Sequence, residues 1–289
     1  MTDPHTRLLA LAGRVPDGWL AVAREALADG DQDQLDRLFA ALPGTGAHTG
    51  PARAAHRFAP PRDPCDDTDR AVVRAVAPRP VAACWRAVRG GTDAVYLLQA
   101  QPGADLPAIT VVAQRALTSR GERSPRVEVF DPDAALPAYH VAALTAATLL
   151  WSAEPAAPVR VARTFDGASP AEGPYFSPSR ELLVEADERQ RLLDFLAGGE
   201  VVLPVPGALD DVLSGASRAV RADLRSDGAW VWSDASRYYL DRHRVAPDPE
   251  LAAHAAANPA RHPLTHLERH RVRAALTPAR EEGPLWRAG

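Results

Sequence analysis

The chain has 289 residues, 46% of them hydrophobic and 24% charged, the composition of a folded protein rather than a disordered one. Its formal net charge of −4 argues against holding nucleic acid through an overall positive field. All 33 basic residues are arginine, so there is no lysine for a pyridoxal phosphate Schiff base, a P-loop or a kinase-type strand, and those enzyme classes are excluded.

Residues 1–47 read as a helical hairpin. Trp19, Leu20, Ala23, Ala26 and Leu27 recur at helical spacing, Gly30 stops the run, and Asp31 caps a second helix with Leu35, Leu38, Phe39 and Leu42 on one face. Residues 48–66 are a linker. A first α+β unit spans residues 67–151. Asp67 or Thr68 caps its first helix, and two β-like runs, Val81–Val88 and Ala94–Ala100, flank the turn Arg89-Gly90-Gly91-Thr92-Asp93. An Asp105-capped helix with Ile109, Ala113 and Leu117 comes next, then a strand at Val127–Phe130 and a largely buried helix over Pro137–Trp151.

Residues 152–180 form a Pro-rich connection with at most one short strand around Val159–Phe165. The second α+β unit, residues 181–289, starts with a strand-like Leu182–Val184. An Asp187-capped helix, a Gly198-Gly199 stop and a strand at Val201–Val205 follow. The strongest hairpin signal in the chain is Val220–Arg225, the turn Ser226-Asp227-Gly228, and Ala229-Trp230-Val231-Trp232. A helix carrying Tyr238, Tyr239 and Leu240 comes next, and a helical tail restarts at Pro263 after a break at Asn258-Pro259. The expected architecture is α+β: an N-terminal helical hairpin, two small helix-on-sheet units and a C-terminal helical tail.

The candidate binding residues lie on the second hairpin. Trp230 and Trp232 are two apart on a strand and share a face, with Tyr238 and Tyr239 opening the next helix. Such a cluster most often anchors a core, but it also suits the stacking of a ligand or of a partner's side chain, with Arg221, Arg225, Asp227 and Arg237 as polar neighbours. His262, His266 and His270 have partial metal-ligand spacing, yet Glu268 stands at the wrong offset for a zinc-protease pattern and arginines crowd the same face, so no metal site is assigned. Cys65 sits among Asp63, Asp66, Asp67 and Asp69, whose charge disfavours a nucleophilic thiolate. The carboxylates between Glu181 and Glu188 read as a solvated helix face. No catalytic constellation stands out, and no cofactor is expected.

No apolar run approaches the roughly 18 residues that span a bilayer, and the first residues lack a signal peptide's apolar core. Only two cysteines occur, with no disulfide framework implied. The expectation is a cytoplasmic protein without a membrane partner.

The stretch from Arg225-Ser226-Asp227-Gly228-Ala229-Trp230-Val231-Trp232 through Tyr238-Tyr239-Leu240 to Leu251 resembles a segment of an uncharacterised protein family of high-GC Gram-positive bacteria, with a C-terminal (S/T)DGxWVW…YYL pattern. Leu11–Leu42 resembles another part of it. The resemblance implies a family and no particular activity. The leading expectation is a non-enzymatic binding or adaptor protein that holds a protein partner through the Trp/Tyr/Arg hairpin. The alternative is an enzyme acting on a small phosphate- or carboxylate-bearing substrate, with Arg221, Arg225 or Arg237 as clamps and Asp227, Asp234 or Tyr238 as acid–base groups.

Overall fold

The computed structural model describes residues 3–42, 56–63, 65–155, 157–171, 173–258 and 263–277. The fold is α+β, with ten helices and three mixed or antiparallel sheets among the described residues. The chain divides into two compact units, Met1–Ala156 and Ala157–Gly289. No described helix is long and apolar enough to cross a membrane.

The first unit begins with α1 (Pro4–Leu11), α2 (Asp17–Ala28) and α3 (Gln32–Ala40), one helix more than the hairpin expected from the sequence. The extra helix forms because Asp3 accepts the Thr6 amide and Pro4 occupies the first turn, where a missing N–H costs nothing. Leu8, Leu20, Ala23 and Leu35 close a small core between the three.

β1 (Phe58–Ala59), α4 (Asp67–Val76), β2 (Val81–Arg89), β3 (Asp93–Ala100), α5 (Leu106–Thr118), β4 (Val127–Phe130), α6 (Ala138–Ala146) and β5 (Thr148–Ser152) follow. The strands run in the order β1-β2-β3-β4, with β5 also on β2. β4 is parallel to β3, and α5 makes the crossover. Alternation along the strands sorts the two faces. Cys84, Tyr96, Leu98, Val127 and Val129 pack against Val72 and Val76 of α4 and Ile109, Ala113 and Leu117 of α5. On the other face Trp85 stacks on Phe130, with ring centroids 6.5 Å apart.

Besides the added α1, the stretch read as a linker holds strand β1, paired antiparallel with the end of β2, and two further expectations are corrected in this unit. The cap of α4 is Asp66, which forms a reciprocal capping box with Asp69. The helix expected over Pro137–Trp151 ends at Ala146, and Thr148–Ser152 pairs antiparallel with β2. A short apolar run such as Leu149-Leu150-Trp151 fits either period, and the open edge of β2, whose backbone groups need partners, decides for strand.

The second unit opens with β6 (Arg160–Val161) and a small hairpin of β7 (Gly167–Ser169) and β8 (Gly173–Tyr175), inside the stretch read as a Pro-rich connection. Then come α7 (Ala186–Gly198), β9 (Glu200–Leu203), β10 (Leu224–Ser226), β11 (Trp230–Ser233), α8 (Asp234–His243), α9 (Pro249–Ala257) and α10 (His266–Leu276). The sheet order is β6-β11-β10-β9, with β6 parallel to β11 and the other pairs antiparallel. Leu182–Val184 forms no strand; Leu182 makes a single bridge to Val245. Asp187 lies in the first turn of α7, not at its cap, and there it meets the positive end of the helix. α10 starts at His266, beyond Pro263, because Thr265 caps it and closes a capping box with Glu268. The core gathers Trp230 and Trp232 with Leu192, Phe195 and Leu196 of α7, Leu240 of α8 and Leu251 of α9.

Candidate functional site

The hairpin turn is built by its own side chains. Asp227 Oδ1 accepts the amides of Ala229 (3.1 Å) and Trp230 (2.9 Å), while Ser226 Oγ accepts the Gly228 amide and donates to the Trp230 carbonyl. Gly228 has φ of 95°, a conformation that other residues adopt only under strain. These bonds fix the register that turns both tryptophans to one face. That face is interior: Trp230 is 6% exposed and Trp232 1%. Trp232 packs on Phe195, with ring centroids 5.2 Å apart, and donates its Nε1–H to the Leu196 carbonyl at 3.0 Å. A Cβ on Gly199 would run into the Trp232 ring, so α7 must end in glycine there.

The polar residues singled out from the sequence are divided among separate tasks. Arg225 donates to Asp234 (2.6 Å) and to the carbonyls of Gly199 (2.9 Å) and Ala197 (3.2 Å), satisfying the open end of α7. Asp227 binds His254 Nε2 of α9 at 2.6 Å. Arg221 lies on the surface, paired with Asp223 at 2.5 Å. Arg237 is exposed on α8. Tyr238 turns to another partner, donating to Asp211 Oδ2 at 3.2 Å.

Asp211 is the centre of a cluster that sequence reasoning missed. Its buried carboxylate also accepts the Leu213 amide (2.9 Å), the Ser214 hydroxyl (2.5 Å) and Nε2 of His243 (2.6 Å), while the Tyr239 hydroxyl accepts the Val212 amide (3.1 Å). Burial alone would raise the Asp211 pKa, but the Ser214, Leu213 and His243 donors outweigh it and hold the carboxyl well below its usual range. Partial burial and the neighbouring carboxylate push the Tyr238 phenol up. The only local signal in the sequence is an Asp-x-x-Ser-Gly turn, since His243 lies 32 residues away.

A groove of about 620 Å³ opens between α7 and α9. Its floor is Leu192, Phe195, Ala252 and Ala255, and its exposed margin carries Glu188, Arg191, Asp194 and Ala256. This volume lies within the range of ligand-binding clefts.

No family model, curated protein or solved structure matches the chain.

His254 is held by Asp227, His262 lies outside the described residues, and burial with nearby Arg273 and Arg271 lowers the His270 pKa. Among the described residues no group of three or more His, Cys, Asp or Glu is placed to hold a metal ion.

Proposed function

We propose that this protein is a non-enzymatic binding protein that holds a protein partner, and that the partner seats in the groove between α7 and α9. The groove's apolar floor, between two walls of helix, carries this reading: it is the shape that receives an amphipathic helix in helix-in-groove recognition. The Trp hairpin contributes from beneath. Trp232 braces Phe195 and Leu196, Arg225 closes the end of α7, and Asp227 holds α9 through His254. Trp232, Arg225 and Asp227, expected from the sequence to touch the partner, thus act by setting the distance and angle between the walls, whereas Arg221, Arg237 and Tyr238 lie away from them. Action in the cytoplasm is supported by the two cysteines, Cys65 exposed and Cys84 buried, both free.

The test is a filled groove. Ala256 is exposed on the margin, so Ala256→Trp should leave the melting temperature unchanged and abolish binding of amphipathic helical peptides drawn from a panel of basic, uncharged and acidic sequences. Failure of every peptide to bind the unmodified protein contradicts the reading.

A second reading, an enzyme on a small anionic substrate, draws support from His243, an imidazole oriented by a buried carboxylate as a general base would be. Under it, His243→Gln abolishes turnover. Under the binding reading, that variant keeps full peptide affinity.

A further inference from the structure

We infer that the segment received by the α7–α9 groove is a basic amphipathic helix, an inference that rests on the groove being the binding site. The charges on its margin lean to the acidic. Glu188 and Asp194 line the groove with one cation, Arg191, and Glu185 and Asp187 are exposed farther along toward the start of α7, outside the lining. Two arginines stand among them. Arg189 is turned back to the carbonyls of Leu183 and Val184, leaving Arg191 as the exposed cation on the groove margin among the described residues. The positive end of α7 offsets only about half a charge. The facing wall does not restore the balance. α9, Pro-Glu-Leu-Ala-Ala-His-Ala-Ala-Ala, has Glu250 tied to Arg160 (2.8 Å) and His254 tied to Asp227 (2.6 Å), and its remaining groove-facing residues are alanines. A cation arriving at this margin meets two carboxylates against the single Arg191 on the α7 side, and alanines on the α9 side.

The dimensions suit a helix rather than an extended strand. α9 has nine residues and so runs about 13 Å, the length over which a partner helix presents apolar side chains at i, i+3 or i+4, and i+7. Its alanines allow an incoming backbone to lie close, since interaxial distance follows side-chain size at the contact. An extended strand would bring unpaired N–H and C=O groups to two helices whose own backbone groups are already used. The occupant is therefore an amphipathic helix with apolar anchors on one face and Lys or Arg flanking them.

The experiment uses three labelled peptides of about 18 residues, long enough to hold helix, with leucine at i, i+3, i+4 and i+7 and the remaining face lysine, glutamine or glutamate. Binding to the full chain is followed by fluorescence anisotropy. The lysine peptide should bind at least about tenfold tighter than the glutamine peptide, with the advantage falling as salt rises. Glu188→Lys with Asp194→Lys should remove that advantage, so that the lysine peptide binds no tighter than the glutamine peptide, and Ala256→Trp should abolish binding of both. Equal or tighter binding of the glutamine or glutamate peptide overturns the basic assignment but leaves the groove standing. Failure of all three overturns both. Undiminished lysine-peptide binding by Ala256→Trp places the attraction in diffuse surface charge and overturns the inference, as does self-association of the unmodified chain that Ala256→Trp abolishes.

Discussion

In the first unit the Glu128 carboxylate is closed in by Arg24 (2.6 Å) and His140 (2.8 Å), and the three side chains are 2%, 3% and 0% exposed. In the second unit Asp211 is as deeply buried, yet His243 and Tyr238, which complete it, lie half-buried at the surface. The sealed cluster has a purely mechanical use. Arg24 also donates to the Val127 carbonyl (2.6 Å) and His5 to the Val129 carbonyl (2.8 Å), so α1 and α2 cover the outer edge of β4 and leave it no free row of acceptors. Polar groups closed off in this way cannot meet another molecule. Those of the second unit can, and the groove belongs to that unit too, which is why the binding reading attaches to the second unit and assigns the first a scaffold role.

The largest test of the contrast is in the two cores. Trp232→Ala removes a buried ring, its hydrogen bond to Leu196 and the brace under Phe195, and should cost about 3–5 kcal/mol in urea unfolding followed through the second unit. Peptide affinity should fall with it. A loss below about 1 kcal/mol would remove the tryptophan from its bracing role. Glu128→Gln should be comparably costly to the first unit, about 3–5 kcal/mol, because Arg24 is left as a buried charge without its partner. It should leave peptide binding unchanged, since no part of the groove is touched.

A smaller effect separates the two carboxylates by pH. Burial would raise the Glu128 pKa, but Arg24 and His140 outweigh it and hold the carboxyl below its ordinary value, as the donors around Asp211 do there. The unfolded chain then takes up protons near pH 4 while the folded chain does not. Stability from these groups is thus complete above that range and is lost as pH falls toward the depressed folded values. Urea midpoints at pH 7, 5 and 3 should fall steeply below pH 5. Asp211→Asn should flatten the slope for the second unit alone and Glu128→Gln for the first alone; a variant that flattens neither would contradict the assignment. Smallest of all, Arg237→Ala should change stability by under about 0.5 kcal/mol, as an exposed residue does.

Local signals were legible in the sequence, and contacts across long separations were not. Ser226-Asp227-Gly228 announced its turn because every bond that builds it falls within four residues, and alternation alone put Trp230 and Trp232 on one face. What lay beneath that face was invisible, because Phe195 and Leu196 come from α7. Arg24 and Glu128 are separated by 104 positions, and His243 and Asp211 by 32. The groove left even less trace: the alanines of α9 read as ordinary helix, and only their place opposite Leu192 and Phe195 makes them a floor. The missed strand β5 has the same origin, since the partner that makes Thr148–Ser152 extended is β2.

The central claim, that the working surface is the α7–α9 groove, is tested most directly by mapping amide chemical shifts of the full ¹⁵N-labelled chain as the leucine–lysine peptide is added. The account predicts shifts concentrated at Leu192, Phe195, Ala252 and Ala256. Shifts concentrated instead at Arg221 and Arg237, or at Asp211 and His243, would contradict it.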